Sequence, residues 1–205
     1  ADSLLAPAAP ERLKLDVELA RALKAHGEYE ETHRLVETLL PRVPPRSALM
    51  LGVLDLAADL RYTQARWDEC DSLRRAAVDL ARGIAEPDSL DYARALLSRA
   101  FLASERDDTA LADSLLGLAA PIYERAYRPD DPRLVSLHLK QGDAAAKIGR
   151  FADGVEIFER TLAAVETAYG PDHPLRADLL WRLGSARQLA GDLDAAEAAL
   201  TRALA

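Results

Sequence analysis

The sequence predicts an all-α fold, an α-solenoid of about five stacked antiparallel helical hairpins. Three observations predict it. Pro45-Arg46-Ser47, Pro87-Asp88-Ser89, Pro129-Asp130-Asp131 and Pro171-Asp172-His173 recur every 42 residues, and such a period marks stacked supersecondary units rather than a closed globule. Between these connectors apolar residues return at three- and four-residue spacing, the pattern of a helix with one buried face. Ala, Leu, Arg, Asp and Glu dominate, aromatics make up only 5%, and asparagine is absent. That is a composition of helix formers with few residues suited to strands. The 205 residues read as a single array, with hairpins at about 10–40, 47–83, 89–127, 131–168 and 173–204.

The opening string Ala1-Asp2-Ser3-Leu4-Leu5 reappears as Ala112-Asp113-Ser114-Leu115-Leu116 inside a later second helix. Residues 1–6 are therefore expected to be the remnant of a preceding repeat. Both ends read as cuts from a longer polypeptide, because terminal repeats need a polar outer face. The first hairpin starts at Pro10, whose missing N–H costs nothing in a first helical turn. Leu13, Val17, Ala20 and Leu23 stripe its first helix, Gly27 makes the turn, and Thr32, Leu35, Val36 and Leu39 stripe the second. Pro41, Pro44 and Pro45 stop it.

The later hairpins begin after Ser47, Ser89, Asp131 and His173, of which the first three are good N-cap residues. Their stripes run through Leu54, Ala58, Cys70 and Ala77, then Leu96, Ala100, Ala112 and Leu116, then Leu137, Gly142, Gly154 and Phe158, then Leu183, Gly184, Ala196 and Leu200. Pro121 falls inside a second helix, where a kink or break near Ala119–Pro121 is expected. Small residues recur at Ala20, Ala58, Ala100, Gly142 and Gly184 in first helices, and at Thr32, Cys70, Ala112, Gly154 and Ala196 in second helices. Helix axes approach to about 8 Å only where side chains are this small.

Leu180-x-x-Leu183-Gly184 followed by Gly191-x-Leu193-x-x-Ala196-x-x-x-Leu200-x-x-Ala203 resembles the tetratricopeptide repeat (TPR), and Gly149-x-Phe151-x-x-Gly154-x-x-x-Phe158 is nearly as close. The 42-residue period and the Gly170-Pro171-Asp172-His173-Pro174 connector look like the longer-helix variety of kinesin light chains and many bacterial signalling proteins. Ala65 and Asp107 depart from the turn glycine, and Arg61 and Arg99 from apolar positions. The resemblance implies a right-handed superhelix whose first helices line a concave, partner-binding face. It places on that face Lys14, Arg21 and Lys24; Asp55, Asp59 and Tyr62; Arg94 and Phe101; Lys140, Asp143 and Lys147; and Asp178, Trp181, Ser185 and Gln188. Trp181 and Phe101 are candidate anchors, since aromatics dominate interface hot spots. Relatives that grip a peptide backbone or terminal carboxylate use groove asparagines, and this chain has none.

The net charge of −8 gives no footprint for nucleic acid and disfavours an anionic membrane surface. One cysteine, Cys70, excludes an internal disulfide framework, fits a reducing compartment, and reads as an inert core thiol. No apolar run approaches the roughly 18–20 residues that span a bilayer. No phosphate loop, nucleophile elbow or metalloprotease motif is present. His33 with Glu30 and Glu37, and the connector residues Asp130, Asp131, Asp172 and His173, are the only groupings that suggest metal or acid–base chemistry. Capping and chance spacing explain them more simply.

The expectation is thus a non-catalytic cytoplasmic protein-interaction scaffold without cofactor or metal, binding a protein or peptide on the concave face. Its Ala/Arg-rich composition and the resemblance suggest the recognition or sensor arm of a larger bacterial signalling protein. The alternative is a self-association module that stacks through its terminal repeats. A metal-dependent hydrolase built on the connector acids is the remote one.

Overall fold

The computed structural model describes residues 10–84 and 89–204; the remnant expected at residues 1–6 and the Pro87-Asp88 connector lie outside them. Ten helices make up this part. They are α1 (Pro10–Ala25), α2 (Tyr29–Leu39), α3 (Ala48–Thr63), α4 (Trp67–Ile84) and α5 (Leu90–Glu105), followed by α6 (Thr109–Ala126), α7 (Pro132–Lys147), α8 (Phe151–Tyr169), α9 (Pro174–Ala190) and α10 (Leu193–Ala203). They pair as five helix–turn–helix hairpins. The chain forms two compact units, Ala1–Arg99 and Ala100–Ala205, with the boundary inside α5.

All five turns have one construction. The N–H groups of Glu28, Arg66, Asp108, Arg150 and Asp192 each donate to the carbonyl five residues back, on Leu23, Arg61, Ala103, Ala145 and Arg187. This closure needs a left-handed residue just before the donor. Gly27, Gly149 and Gly191 supply it at φ of 82°, 84° and 85°, and Ala65 and Asp107 adopt it at 55° and 58°. Two side chains are thus held where L-residues are strained by about 1 kcal/mol.

The starts of the first helices are equally regular. Ser47 and Ser89 accept from the N–H three residues on, in Met50 and Tyr92, both at 3.2 Å. Asp131 accepts from Arg133 at 2.9 Å. His173, the weakest of the four on sequence grounds, also caps, its Nδ1 accepting from Leu175 N–H at 3.3 Å. Its ring stacks on Tyr169, 4.6 Å away, which fixes it in that pose.

One expectation needs correction. The helix does not break at Pro121; α6 runs through it to Ala126. The carbonyl that proline leaves without a donor belongs to Gly117, and both residues are exposed. Water can satisfy that carbonyl, and residue 117 adds no side chain to the crowding.

In the first unit Leu13, Val17, Val36, Leu39, Val53, Ala57 and Leu60 form one core between α1, α2 and α3. In the second, Val135, Phe158, Leu162, Leu179, Leu183 and Ala199 form another, with Leu139 packed against it. The small-residue positions are buried throughout, Ala20, Ala58, Cys70 and Ala112 at 0% exposure. Where glycine stands there, nothing larger fits: a Cβ on Gly184 would lie 2.6 Å from Leu200. The departures at Arg61 and Arg99 are absorbed by ion pairs. Arg61 reaches Glu37 at 3.1 Å and Glu69 at 3.2 Å, and Arg99 reaches Asp71 at 3.4 Å.

Candidate functional site

In the first unit the first-helix face is crossed by a chain of charges. Lys24 on α1 pairs with Asp59 on α3, and Asp59 also accepts from Arg74 Nη2 at 3.2 Å. The other Arg74 nitrogen, Nη1, donates to the carbonyl of Ser98, whose hydroxyl donates to Asp55 at 3.2 Å. Arg74 is 5% exposed and stands in the register position that Val36, Leu116 and Phe158 fill in other hairpins. A buried guanidinium persists only when partnered. Desolvation, followed by the charge of Asp59, pushes the Asp55 carboxyl above the usual range, while Lys24, Ser98 and Arg74 oppose it. Cys70, fully buried, has its thiol pKa raised, chiefly by that burial.

The remaining expected residues of this unit are held locally. Arg21 pairs with Glu18 at 2.6 Å, and Arg94 with Asp91 at 3.3 Å, all four exposed. Tyr62 meets Trp67 edge-on with ring centres 5.1 Å apart. Lys14 points from the exposed side of α1.

The second unit carries the more open surface. Phe101, 37% exposed, lies 5.8 Å from the Lys140 ammonium. Beside them is a hollow of about 160 Å³, lined by Phe101, Ser104, Glu105, Thr109, Lys140, Asp143 and Lys147. Asp143 pairs with Arg182, which also donates to Asp178 at 3.1 Å. The structure thus brings together Phe101, Lys140, Asp143 and Lys147, and joins Asp178 to Asp143 through an arginine that sequence reasoning missed. Its spacing, four residues after Asp178, was the available signal. Ser98 and Glu105, three before and four after Phe101 and Phe101-facing positions in the register, were missed too.

Trp181 is 56% exposed, and the Ser185 hydroxyl donates to its carbonyl at 2.9 Å. Gln188 is exposed one turn on. Trp181 occupies the register of Val17 and Leu139, both packed against the hairpin that follows their own. Its indole therefore belongs to the end of the last hairpin as much as to the first-helix face.

The connector acids have structural work. Asp131 holds Arg133 through both oxygens at 2.9 and 2.7 Å while capping α7, and these hydrogen bonds, side-chain first, lower its pKa to about 2. Asp130 pairs with Arg128 at 3.1 Å, and its carbonyl accepts from Tyr169 Oη at 2.8 Å. His33 reaches Glu37 at 3.8 Å. Among the described residues, no three His, Cys, Asp or Glu side chains gather to hold a metal ion.

Residues 133–205 match the sequence model of the tetratricopeptide repeat. No curated protein sequence matches the chain. Solved structures match along almost its whole length. A Podosopora anserina protein with nearly identical kinesin-light-chain TPR-like repeats is similar at a TM-score of 0.81 and 19% identity, over 95% of this chain and 94% of that one. BtubC (BKLC) from P. vanneervenii is similar at 0.76 and 21% identity, over 95% and 80%. YrrB, a TPR protein with an unusual peptide-binding site, is similar at 0.68 and 16% identity, over 92% and 83%. At these identities the likeness is one of fold.

Proposed function

This chain carries a tetratricopeptide-repeat domain, and we propose that it serves as a non-catalytic scaffold binding a protein or peptide partner on its first-helix face. The observation that carries this reading is the hollow beside Phe101. It offers an exposed aromatic face with two ammonium groups and two carboxylates around it. An aromatic floor with a charged rim is how a side-chain anchor is held and oriented. The peptide-binding site named for YrrB supports a peptide as the ligand class. The net charge of −8 favours protein over nucleic acid or an anionic membrane surface. Among the described residues no helix is long and apolar enough to cross a membrane. In its cell the domain acts in the cytoplasm as the recognition or sensor arm of a larger bacterial signalling protein.

The test is affinity capture from the source lysate with wild type and Lys140→Glu/Lys147→Glu. A partner held by wild type and lost by the variant supports this face. Equal retention by both contradicts it.

A further inference from the structure

We propose that the two end hairpins form the two halves of one interface, so that copies of this chain associate head to tail. The argument goes beyond the peptide-binding reading and is independent of it. It starts from the register, which aligns the first hairpin with the second at 38 residues (Gly27 with Ala65) and the later ones at 42.

One register position of the first helix faces the preceding hairpin. Val53, Leu137 and Leu179 hold it in later hairpins at 0%, 1% and 0% exposure, and Leu15 holds it in the first hairpin at 69%. The next position behaves alike: Ala57 and Leu183 are 3% and 2% exposed, whereas Leu19 is 51%. A second set faces the following hairpin. Val17 is 0% exposed and Leu139 packs into the core against α9, but their equivalent Trp181 is 56% exposed. Val78 and Leu162 are 4% and 5% exposed, and their equivalent Leu204 is 91%.

The bare faces are therefore the missing partners of an interface the chain already makes. Within the first unit Val17 meets Val53 and Ala57 in one core, and within the second Leu139 and Leu162 meet Leu179 and Leu183. Trp181 and Leu204 of one copy are the counterparts of Leu15 and Leu19 of the next. A contact between two different faces of identical chains is heterologous and does not close on itself, so assembly continues in a line.

The charges set its strength. Between inner hairpins an acid on the earlier faces an arginine on the later, as in Asp143–Arg182, Glu159–Arg187 and Glu166–Arg176. At the ends Ser185 and Thr201 replace the acids, and Glu18 stands at the register of Arg182. The junction thus rests on apolar contact between chains of net charge −8, and salt strengthens it by screening their repulsion.

The test is sedimentation of wild type, Leu15→Glu/Leu19→Glu and Trp181→Glu/Leu204→Glu between about 10 µM and 1 mM, the range in which a small interface acts. Wild-type average mass is expected to rise with concentration and with salt. Each variant alone stays monomeric, and their equimolar mixture stops at a dimer, because one open junction remains between them. All four positions are exposed, so circular dichroism should show unchanged helix content. If a glutamate pair unfolds its variant, Leu15→Ser and Trp181→Ser replace it. Constant wild-type mass overturns the proposal, as does a variant that dimerises alone or a mixture that stays monomeric.

Discussion

Gly142 on α7 and Phe158 on α8 compete for one space: a Cβ on residue 142 would lie 2.5 Å from the Phe158 ring. The ring is 1% exposed and cannot swing out of the core. Gly142→Ala should therefore lower stability by about 1–3 kcal/mol through overpacking, despite the better helix propensity of alanine. At Gly117, where nothing lies within 4 Å, the same change should raise it by about 0.5–1 kcal/mol. Urea midpoints of the two variants check both signs.

Strain at the turns gives a second outcome. Ala65 and Asp107 take the left-handed backbone that glycine supplies in the other three turns. Ala65→Gly should stabilise by up to about 1 kcal/mol, and Asp107→Gly by less, since aspartate tolerates this region better than alanine. A melting temperature that falls in Ala65→Gly would remove strain from the account.

The buried arginine predicts a third. Arg74 replaces a core apolar residue and depends on Asp59. Asp59→Ala should cost about 3 kcal/mol, whereas adding Arg74→Leu should restore much of it, because the charge in need of a partner has gone. A double-mutant cycle in chemical denaturation reads this directly.

Protonation supplies a fourth. His138, 5% exposed, has Nε2 3.1 Å from Glu124 on α6, with Arg160 Nη2 3.4 Å from the same nitrogen, and Nδ1 3.4 Å from Thr161 Oγ1 on α8. Burial first, and then the Arg160 charge, lower its pKa, against Glu124. As pH falls the unfolded chain binds the proton before the folded one, so the contribution is intact above about pH 6.5 and is lost below it. Unfolding midpoints should drop from about pH 6.5 downward, and His138→Gln should flatten that slope.

These outcomes show what sequence could and could not reveal. The period, the turn positions and the small-residue stripe were legible because each follows from backbone geometry: a left-handed turn, a cap, a close helix approach. Pro121 misled because its cost depends on whether the freed Gly117 carbonyl faces water, a tertiary fact. Arg74 was invisible because its partners lie 15 and 24 residues away on other helices. Trp181 looked like a groove residue from helical spacing alone. Only the burial of Val17 and Leu139 at the same register shows that this position faces along the stack. Likewise the hollow at Phe101 needs residues from α5, α6 and α7 at once, which no single helical stripe displays.

The central claim is that a partner docks at that hollow. A photo-crosslinking residue placed at Phe101, with Leu118 as an exposed control on a second helix, tests it most directly in the source lysate. The account predicts a discrete adduct with another protein at position 101 and none at 118. Adducts of equal yield at both positions, or at 118 alone, would contradict it.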